Sequence, residues 1–386
     1  MGAPEEGPAR HYLLARADFQ SLFDALAREG YTTLGPTVRD AAIVYAEIRN
    51  VEDLPIGWTD RQGPGTYRIE RRKDDALFGY NVGPHSWKGY LYPSRERLWA
   101  AHRSPSGFTV EPPEAAPPRY AFLGVRACEL QAIAIQDRVF DGPYADPAYR
   151  ARRASSLRIA VQCGQAGPTC FCASMGTGPR VGPDHDLALT ELLGPGSHRF
   201  LVQVGSPRGA AIADRLPLRP ATEEDLRARD ALVDQATSSM GRSLRTDDVH
   251  DLLLGNPGLH RWEEVARRCL ACTNCTLACP TCFCSTTEEV PDLSGDRVER
   301  WRRWDSCFTL AFTQLGKGSV RRSPTSRYRQ WLTHKLASWQ DQFGSSGCVG
   351  CGRCITWCPV GIDLTEEVAA LREESSAKTA VSGGER

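Results

Sequence analysis

The feature that most constrains this chain is a cysteine pattern that occurs twice in its C-terminal third. Both copies have the spacing C-x2-C-x2-C-x3-C-P, with cysteines at Cys269, Cys272, Cys275 and Cys279, and at Cys348, Cys351, Cys354 and Cys358. This spacing is typical of bacterial ferredoxins, in which cysteine thiolates bind a [4Fe–4S] cluster. Two-residue gaps let a tightly turned segment direct three sulfur atoms towards one compact core. The repeated pattern therefore predicts two [4Fe–4S] clusters.

The fourth cysteine of each copy is predicted to bind the cluster of the other copy, as in two-cluster ferredoxins. One cluster then takes Cys269, Cys272, Cys275 and Cys358, and the other takes Cys348, Cys351, Cys354 and Cys279. Zinc also binds C-x2-C pairs, but a zinc ribbon needs two such pairs per site rather than three cysteines and a C-P. The long segment between the copies has helix-like stretches at 309–315 and 327–339. These stretches favour a helical ferredoxin domain with the clusters held between helices.

Four further cysteines lie upstream and predict a third cluster. Three of them, Cys163, Cys170 and Cys172, fall within ten residues, and Cys128 lies further upstream. Cys128 follows an apolar run at 120–125 and Cys163 follows another at 157–162, and both runs are predicted strands. If these strands are parallel, both cysteines lie at the carboxyl edge of one sheet, where open α/β sheets bind ligands. We therefore predict a third [4Fe–4S] cluster on Cys128, Cys163, Cys170 and Cys172.

The alternative is that Cys128 is a buried apolar residue and that the other three cysteines bind a different metal or none. Three cysteines, Cys282, Cys284 and Cys307, have no assigned role. They are one short of the four ligands of a cubane cluster, and one of them could replace Cys128 in the third cluster.

Charge and hydropathy exclude several classes of protein. The 47 Lys and Arg residues balance the 47 Asp and Glu residues, which argues against general nucleic-acid binding. No apolar run approaches the length that crosses a bilayer. The N-terminus lacks the basic and apolar regions of a secretory signal. We therefore expect a cytoplasmic protein with reduced thiols, where closely spaced cysteines bind metal or carry out redox chemistry.

The chain is predicted to be an α+β protein with several parts. Residues 1–103, frayed over 1–10, form an α+β region for scaffolding or docking, and a proline-rich connector spans 104–119. A small α/β region with a parallel sheet and the third cluster spans 120–245, and its predicted strands include 199–204. The two-cluster ferredoxin domain spans 246–372, and a disordered tail spans 373–386.

Several catalytic motifs are absent from the sequence. There is no G-x-G-x-x-G after a predicted strand, no complete phosphate loop, no H-E-x-x-H and no G-x-S-x-G. We therefore expect a non-catalytic subunit that transfers single electrons, with two-electron chemistry supplied by a partner. Residues 306–340 carry six Lys or Arg and no Asp or Glu. This segment is either a solvated helix face or a docking surface for an acidic partner, and its charge could raise the reduction potential of nearby clusters.

The chain resembles the beta subunits of the soluble, NAD(P)-linked [NiFe] hydrogenases, also called sulfhydrogenases, over about residues 10–372. It is also similar to the A subunit of anaerobic sulfite reductase. The strings that carry the resemblance are GVRACELQAI at 124–133, the run from Cys163 to CFC at 170–172 with GTGP at 176–179, CPTCFC at 279–284, WDSC at 304–307 and GCGRC at 350–354. The strings around Cys170 and Cys307 look closer to the hydrogenase family.

The resemblance implies an electron-transfer subunit. In these hydrogenases, the clusters of the beta subunit link a flavin subunit, which exchanges a hydride with NAD(P), to the small subunit beside the [NiFe] site of the large subunit. The alternative role, in the sulfite reductases, is to supply electrons to a sirohaem subunit. Two hypotheses of other classes are a nucleic-acid-processing protein with a structural cluster and a self-sufficient flavoenzyme.

Overall fold

The computed structural model describes residues 11–112, 117–194 and 196–383. The N-terminal residues for which we expect fraying lie outside these ranges. The strands are β1 (His11–Ala15), β2 (Thr32–Arg39), β3 (Ala42–Glu47), β4 (Trp58–Gly63), β5 (Thr66–Arg71), β6 (Arg95–Ser104), β7 (Gly107–Glu111), β8 (Tyr120–Val125), β9 (Leu157–Val161), β10 (Leu187–Gly194), β11 (Ser197–Val204), β12 (Arg219–Pro220), β13 (Ser285–Pro291), β14 (Arg297–Trp304), β15 (Gln314–Leu315) and β16 (Gly318–Ser319).

The helices include several short turns around the cysteine patterns. They are α1 (Gln20–Arg28), α2 (Lys88–Leu91), α3 (Ala127–Phe140), α4 (Pro147–Ser155), α5 (Pro207–Ala213), α6 (Glu223–Ser238), α7 (Val249–Gly255), α8 (Arg261–Arg268), α9 (Asn274–Leu277), α10 (Pro324–Thr333), α11 (Trp339–Phe343), α12 (Arg353–Thr356) and α13 (Leu364–Gly383). A π-helical turn, His334–Ser338, joins α10 to α11. Within the described ranges, no helix combines the length and hydropathy needed to span a membrane.

An eight-stranded mixed sheet forms the larger layer, in the order β12-β1-β11-β10-β9-β8-β2-β3. Its four central strands, β10, β9, β8 and β2, are parallel neighbours. Strands β8 and β9 are buried along almost their whole length, as expected where helices or loops cover both faces of a parallel sheet. The predicted strand at 199–204 belongs to β11, which is antiparallel to β10 rather than part of the parallel set.

The predicted boundary between residues 1–103 and 120–245 does not separate two sheets. Strand β2 from the N-terminal part pairs with β8, and β1 pairs with β11. The physical reason is that buried backbone N–H and C=O groups must be paired, and β2 and β1 supply partners for one side of β8 and of β11. One apolar core, which includes Phe19, Leu123 and Phe200, consequently draws on both segments.

A second sheet, in the order β13-β14-β6-β7, joins the N-terminal part to the segment between the two cysteine patterns. Strand β6 pairs antiparallel with β14, across about half of the chain. Strand β7 lies inside the predicted connector at 104–119, of which residues 113–116 lie outside the described ranges. The segment between the two cysteine patterns begins with the β13–β14 hairpin. Of its two predicted helix-like stretches, 327–339 falls mainly in α10 and the π-helical turn that follows it, whereas 309–315 holds a 3-10 turn and β15.

The C-terminal core contains α7, α8, α10 and α13, whose apolar side chains pack around Trp262, Tyr328 and Leu332. The expectation of a disordered tail from residue 373 was wrong, since α13 continues to Gly383. Glu374 explains part of this order: its carboxylate accepts hydrogen bonds from the backbone N–H groups of His260 and Arg261 at the start of α8.

Candidate metal centres

A first cavity, the outer group, is lined by five cysteines from both copies of the pattern: Cys269, Cys272, Cys275, Cys354 and Cys358. Helix α8 ends immediately before Cys269, and the loop then turns through positive φ at Ala271 and Thr273. This turning brings the thiols of the first copy to one side. Backbone N–H groups of Ala271 and Ile362 point at the sulfur atoms of Cys269 and Cys358, at 3.4 and 3.3 Å. The Cys272 side chain is exposed, so this group lies at the surface.

A second cavity, the inner group, is lined by Cys279, Cys348, Cys351 and Cys354, together with Phe171, Trp331 and Lys335. The backbone N–H of Gly350 lies 3.4 Å from the Cys348 sulfur, and Lys335 Nζ lies 3.3 Å from the Cys279 sulfur. The inner cavity combines three cysteines of the second copy with Cys279 of the first. The outer cavity combines three cysteines of the first copy with Cys358 and Cys354 of the second. Each cavity therefore draws on both copies, as the crossed assignment expects.

A third cavity, the sheet-edge group, is lined by Cys128, Cys163, Cys170 and Cys172. Strands β8 and β9 are parallel neighbours, and Cys128 and Cys163 follow their carboxyl ends. The buried Arg126 holds this edge together, because its guanidinium donates to the carbonyl oxygens of Gln162, Phe78 and Tyr80. All four upstream cysteines thus meet at one sheet edge.

Two cysteines connect the three cavities. Cys354 lines both the outer and the inner cavity. Cys351 lines both the inner and the sheet-edge cavity. The three groups therefore form a continuous row, with the inner group in the middle.

Two glycines allow the loops of these groups to approach closely. Gly350 and Gly352 have φ of 63° and 75°. A Cβ on Gly350 would lie 2.6 Å from the backbone carbon of Phe171, and one on Gly352 would lie 2.5 Å from the carbonyl oxygen of Thr169. Only glycine combines the left-handed conformation with this lack of space.

The donors of each group suit an iron–sulfur cluster. Each set of four is all sulfur, and soft thiolates select iron–sulfur clusters, zinc and copper(I). Burial first, and neighbouring thiols second, raise the pKa of Cys128 and Cys170 well above the usual value and that of Cys172 to about 12. A cationic core would offset this repulsion between thiolates. Among the described residues, no three Cys, His, Asp or Glu side chains meet closely enough for a single metal ion.

A fully buried ion pair, Glu129–Arg353, lies between the sheet edge and the second cysteine pattern. Arg353 also donates to the carbonyl oxygens of Gly83 and His85 at 3.0 and 2.9 Å. Arg353 begins α12, between Cys351 and Cys354. The pair therefore fixes the second cysteine pattern against the sheet.

The three unassigned cysteines lie beside the inner group. The Cys282 thiol donates a hydrogen bond to Cys279 and so lowers the pKa of Cys279. The Cys307 thiol does the same for Cys284 and lowers its pKa to about 7. Buried Lys88 donates to the carbonyl oxygen of Cys282 at 3.1 Å.

Sequence reasoning did not identify Arg126, Lys335 or Arg353 as residues of these sites. Arg353 lies within the second cysteine pattern, and Lys335 lies within the basic segment at 306–340. Nothing in the residue spacing shows which Lys or Arg is buried.

Comparisons with known proteins agree with the site chemistry. The sequence profile of the 4Fe-4S dicluster domain matches residues 268–362. The sulfhydrogenase 2 subunit beta of Pyrococcus furiosus is 31% identical over 260 residues, which cover 66% of this chain and 75% of that protein. No solved structure matches the chain.

Proposed function

The chain belongs to the family of sulfhydrogenase beta subunits, and from this we propose that it relays single electrons through three [4Fe–4S] clusters. That it is an iron–sulfur, electron-transfer subunit follows from the family and the dicluster domain. The number of clusters, their ligands and the partners are our proposal. The row of three cysteine-lined cavities, joined by Cys354 and Cys351, is the observation that carries it.

Each cavity is assigned one cluster, which supplies one-electron chemistry when bound. The outer cluster takes Cys269, Cys272, Cys275 and Cys358, and the inner one takes Cys279, Cys348, Cys351 and Cys354. The sheet-edge cluster takes Cys128, Cys163, Cys170 and Cys172. The protein buries most cysteines of the sheet-edge group (Cys128, Cys170 and Cys172) and half of those of the inner group (Cys348 and Cys351), and it leaves Cys272 of the outer group exposed.

The proposed partners are a flavin subunit that binds NAD(P) and the small and large subunits of a [NiFe] hydrogenase. The name of the Pyrococcus relative supports a hydrogenase complex. Within that complex the chain is a non-catalytic subunit in the cytoplasm.

Anaerobic purification of the chain with its native partners tests this proposal. We expect a [NiFe] large subunit and a flavin subunit to co-purify, and H2 to reduce the clusters of this chain. Co-purification of a sirohaem subunit instead would refute the hydrogenase assignment and indicate the sulfite reductase role.

A further inference from the structure

The buried Lys335 makes three hydrogen bonds at the inner group. Its side chain is 3% exposed. Its Nζ atom donates to Cys279 Sγ at 3.3 Å, Thr281 Oγ1 at 2.9 Å and the carbonyl oxygen of Gly347 at 3.1 Å. A lysine ammonium has three N–H donors, whereas the neutral amine has only two. Three acceptors around one nitrogen are therefore the coordination of the charged form.

The backbone around Lys335 ties it to the same group. Lys335 lies in the π-helical turn between α10 and α11, and such turns occur frequently at functional sites. Its carbonyl oxygen accepts a hydrogen bond from Gly347 N at 2.8 Å, one residue before Cys348. Both ends of the residue therefore bind the loop that carries the inner cysteines.

A buried ammonium needs a negative partner, because desolvation of an unpaired charge is costly. The hydrogen-bond acceptors of Lys335 are a sulfur, a hydroxyl and a carbonyl. Of these, the Cys279 sulfur is the one that carries negative charge as a cluster ligand. The outer group differs, since the hydrogen bonds described above for its sulfurs come from backbone N–H groups, which have no net charge.

We propose that Lys335 is a positioning residue that raises the reduction potential of the inner cluster, an inference that rests on the proposed function. Reduction adds one electron, and it makes or breaks no bond. A nearby positive charge and a hydrogen bond to sulfur both stabilise the added electron. Lys335 therefore stabilises the reduced form of the inner cluster, which lies between the outer and sheet-edge groups.

The test is an EPR-monitored redox titration of the full-length chain, purified anaerobically with its clusters. Lys335→Met removes the charge and keeps the side-chain length. At fixed potential it should lower the ratio of reduced to oxidised inner cluster about tenfold or more, and tenfold is 59 mV for a one-electron couple. Lys335→Arg keeps the charge and should retain most of the wild-type potential. Lys317→Met, at an exposed position, is the matched control and should change the ratio less than about twofold.

A second measurement does not depend on a change in potential. Wild-type chain labelled with 15N-lysine should show hyperfine coupling between one lysine nitrogen and a reduced cluster in pulsed EPR, and Lys335→Arg chain with the same label should lose it. Loaded clusters with an unchanged potential in Lys335→Met, or wild-type chain without 15N coupling, would overturn the inference. A chain that contains no iron would refute the proposed function instead.

Discussion

The buried Glu129–Arg353 pair allows a quantitative test of how the second cysteine pattern is attached to the sheet. Both residues are 1% exposed. Besides Arg353, the Glu129 carboxylate accepts hydrogen bonds from Tyr45 Oη at 2.9 Å, Trp87 Nε1 at 3.1 Å and Arg126 N at 3.1 Å. The change Glu129→Gln keeps the shape but removes the charge, and it turns an amide N–H group either towards Arg353 or towards the other three donors, which all bind one carboxylate oxygen.

The expected loss of unfolding free energy follows from the buried groups that each change leaves without a partner. Removal of one partner of a buried ion pair costs about 3–5 kcal/mol, mostly because the other charge stays buried. Arg353→Met should cost at least as much, since the buried carbonyl oxygen of Gly83 also loses a donor, at about 1–3 kcal/mol. The double variant should cost less than the sum of the single ones, with a coupling energy above about 1 kcal/mol.

The assay is anaerobic guanidinium unfolding of the cluster-loaded chain, followed by tryptophan fluorescence. Trp87 is a suitable reporter because it stacks on Tyr45 at 4.0 Å between ring centroids, beside Glu129. The control is Glu47→Gln, which breaks an exposed pair with Arg49 and should cost less than about 1 kcal/mol. A loss below about 1 kcal/mol for Glu129→Gln, or no coupling in the double variant, would refute the reasoning.

Three further predictions concern the cysteine groups. Gly350→Ala should destabilise the chain by more than about 2 kcal/mol in the same unfolding assay, because the new Cβ would clash with backbone atoms and the positive φ is strained for alanine. The control is Gly344→Ala, where φ is also positive but no atom lies near the new Cβ, and it should cost only about 1 kcal/mol. Cys354→Ser should lose about four iron atoms and stop the H2-driven reduction of the cluster that lies beyond the missing inner one, and unchanged iron would contradict its assignment. Cys307→Ser should keep all its iron, since the Cys307 thiol contacts Cys284 rather than a proposed ligand; a loss of about four iron atoms would make Cys307 a ligand.

The sequence was sufficient for features that depend on local pattern. The apolar runs of β8 and β9 identify buried strands without any knowledge of their neighbours, and β8 has the predicted bounds 120–125. The ferredoxin spacing likewise predicts the dicluster domain, which the profile match confirms.

Features that depend on partners distant in the chain could not be predicted. Strand β14 has the sequence RVERWRRW, and its polar, half-exposed residues give no strong strand signal until β6 pairs with it. The pairing of β1 and β2 with strands of the main sheet likewise depends on partners far away in the chain. The burial of Lys335 also depends on tertiary structure, because its acceptors come from residues 279–281 and 347.

The measurement that tests the central claim most directly is the iron and acid-labile sulfide content of the full-length chain, purified anaerobically. Three [4Fe–4S] clusters predict about twelve iron and about twelve sulfide per chain. About eight of each would remove the sheet-edge cluster. Zinc without iron and sulfide would contradict the electron relay altogether.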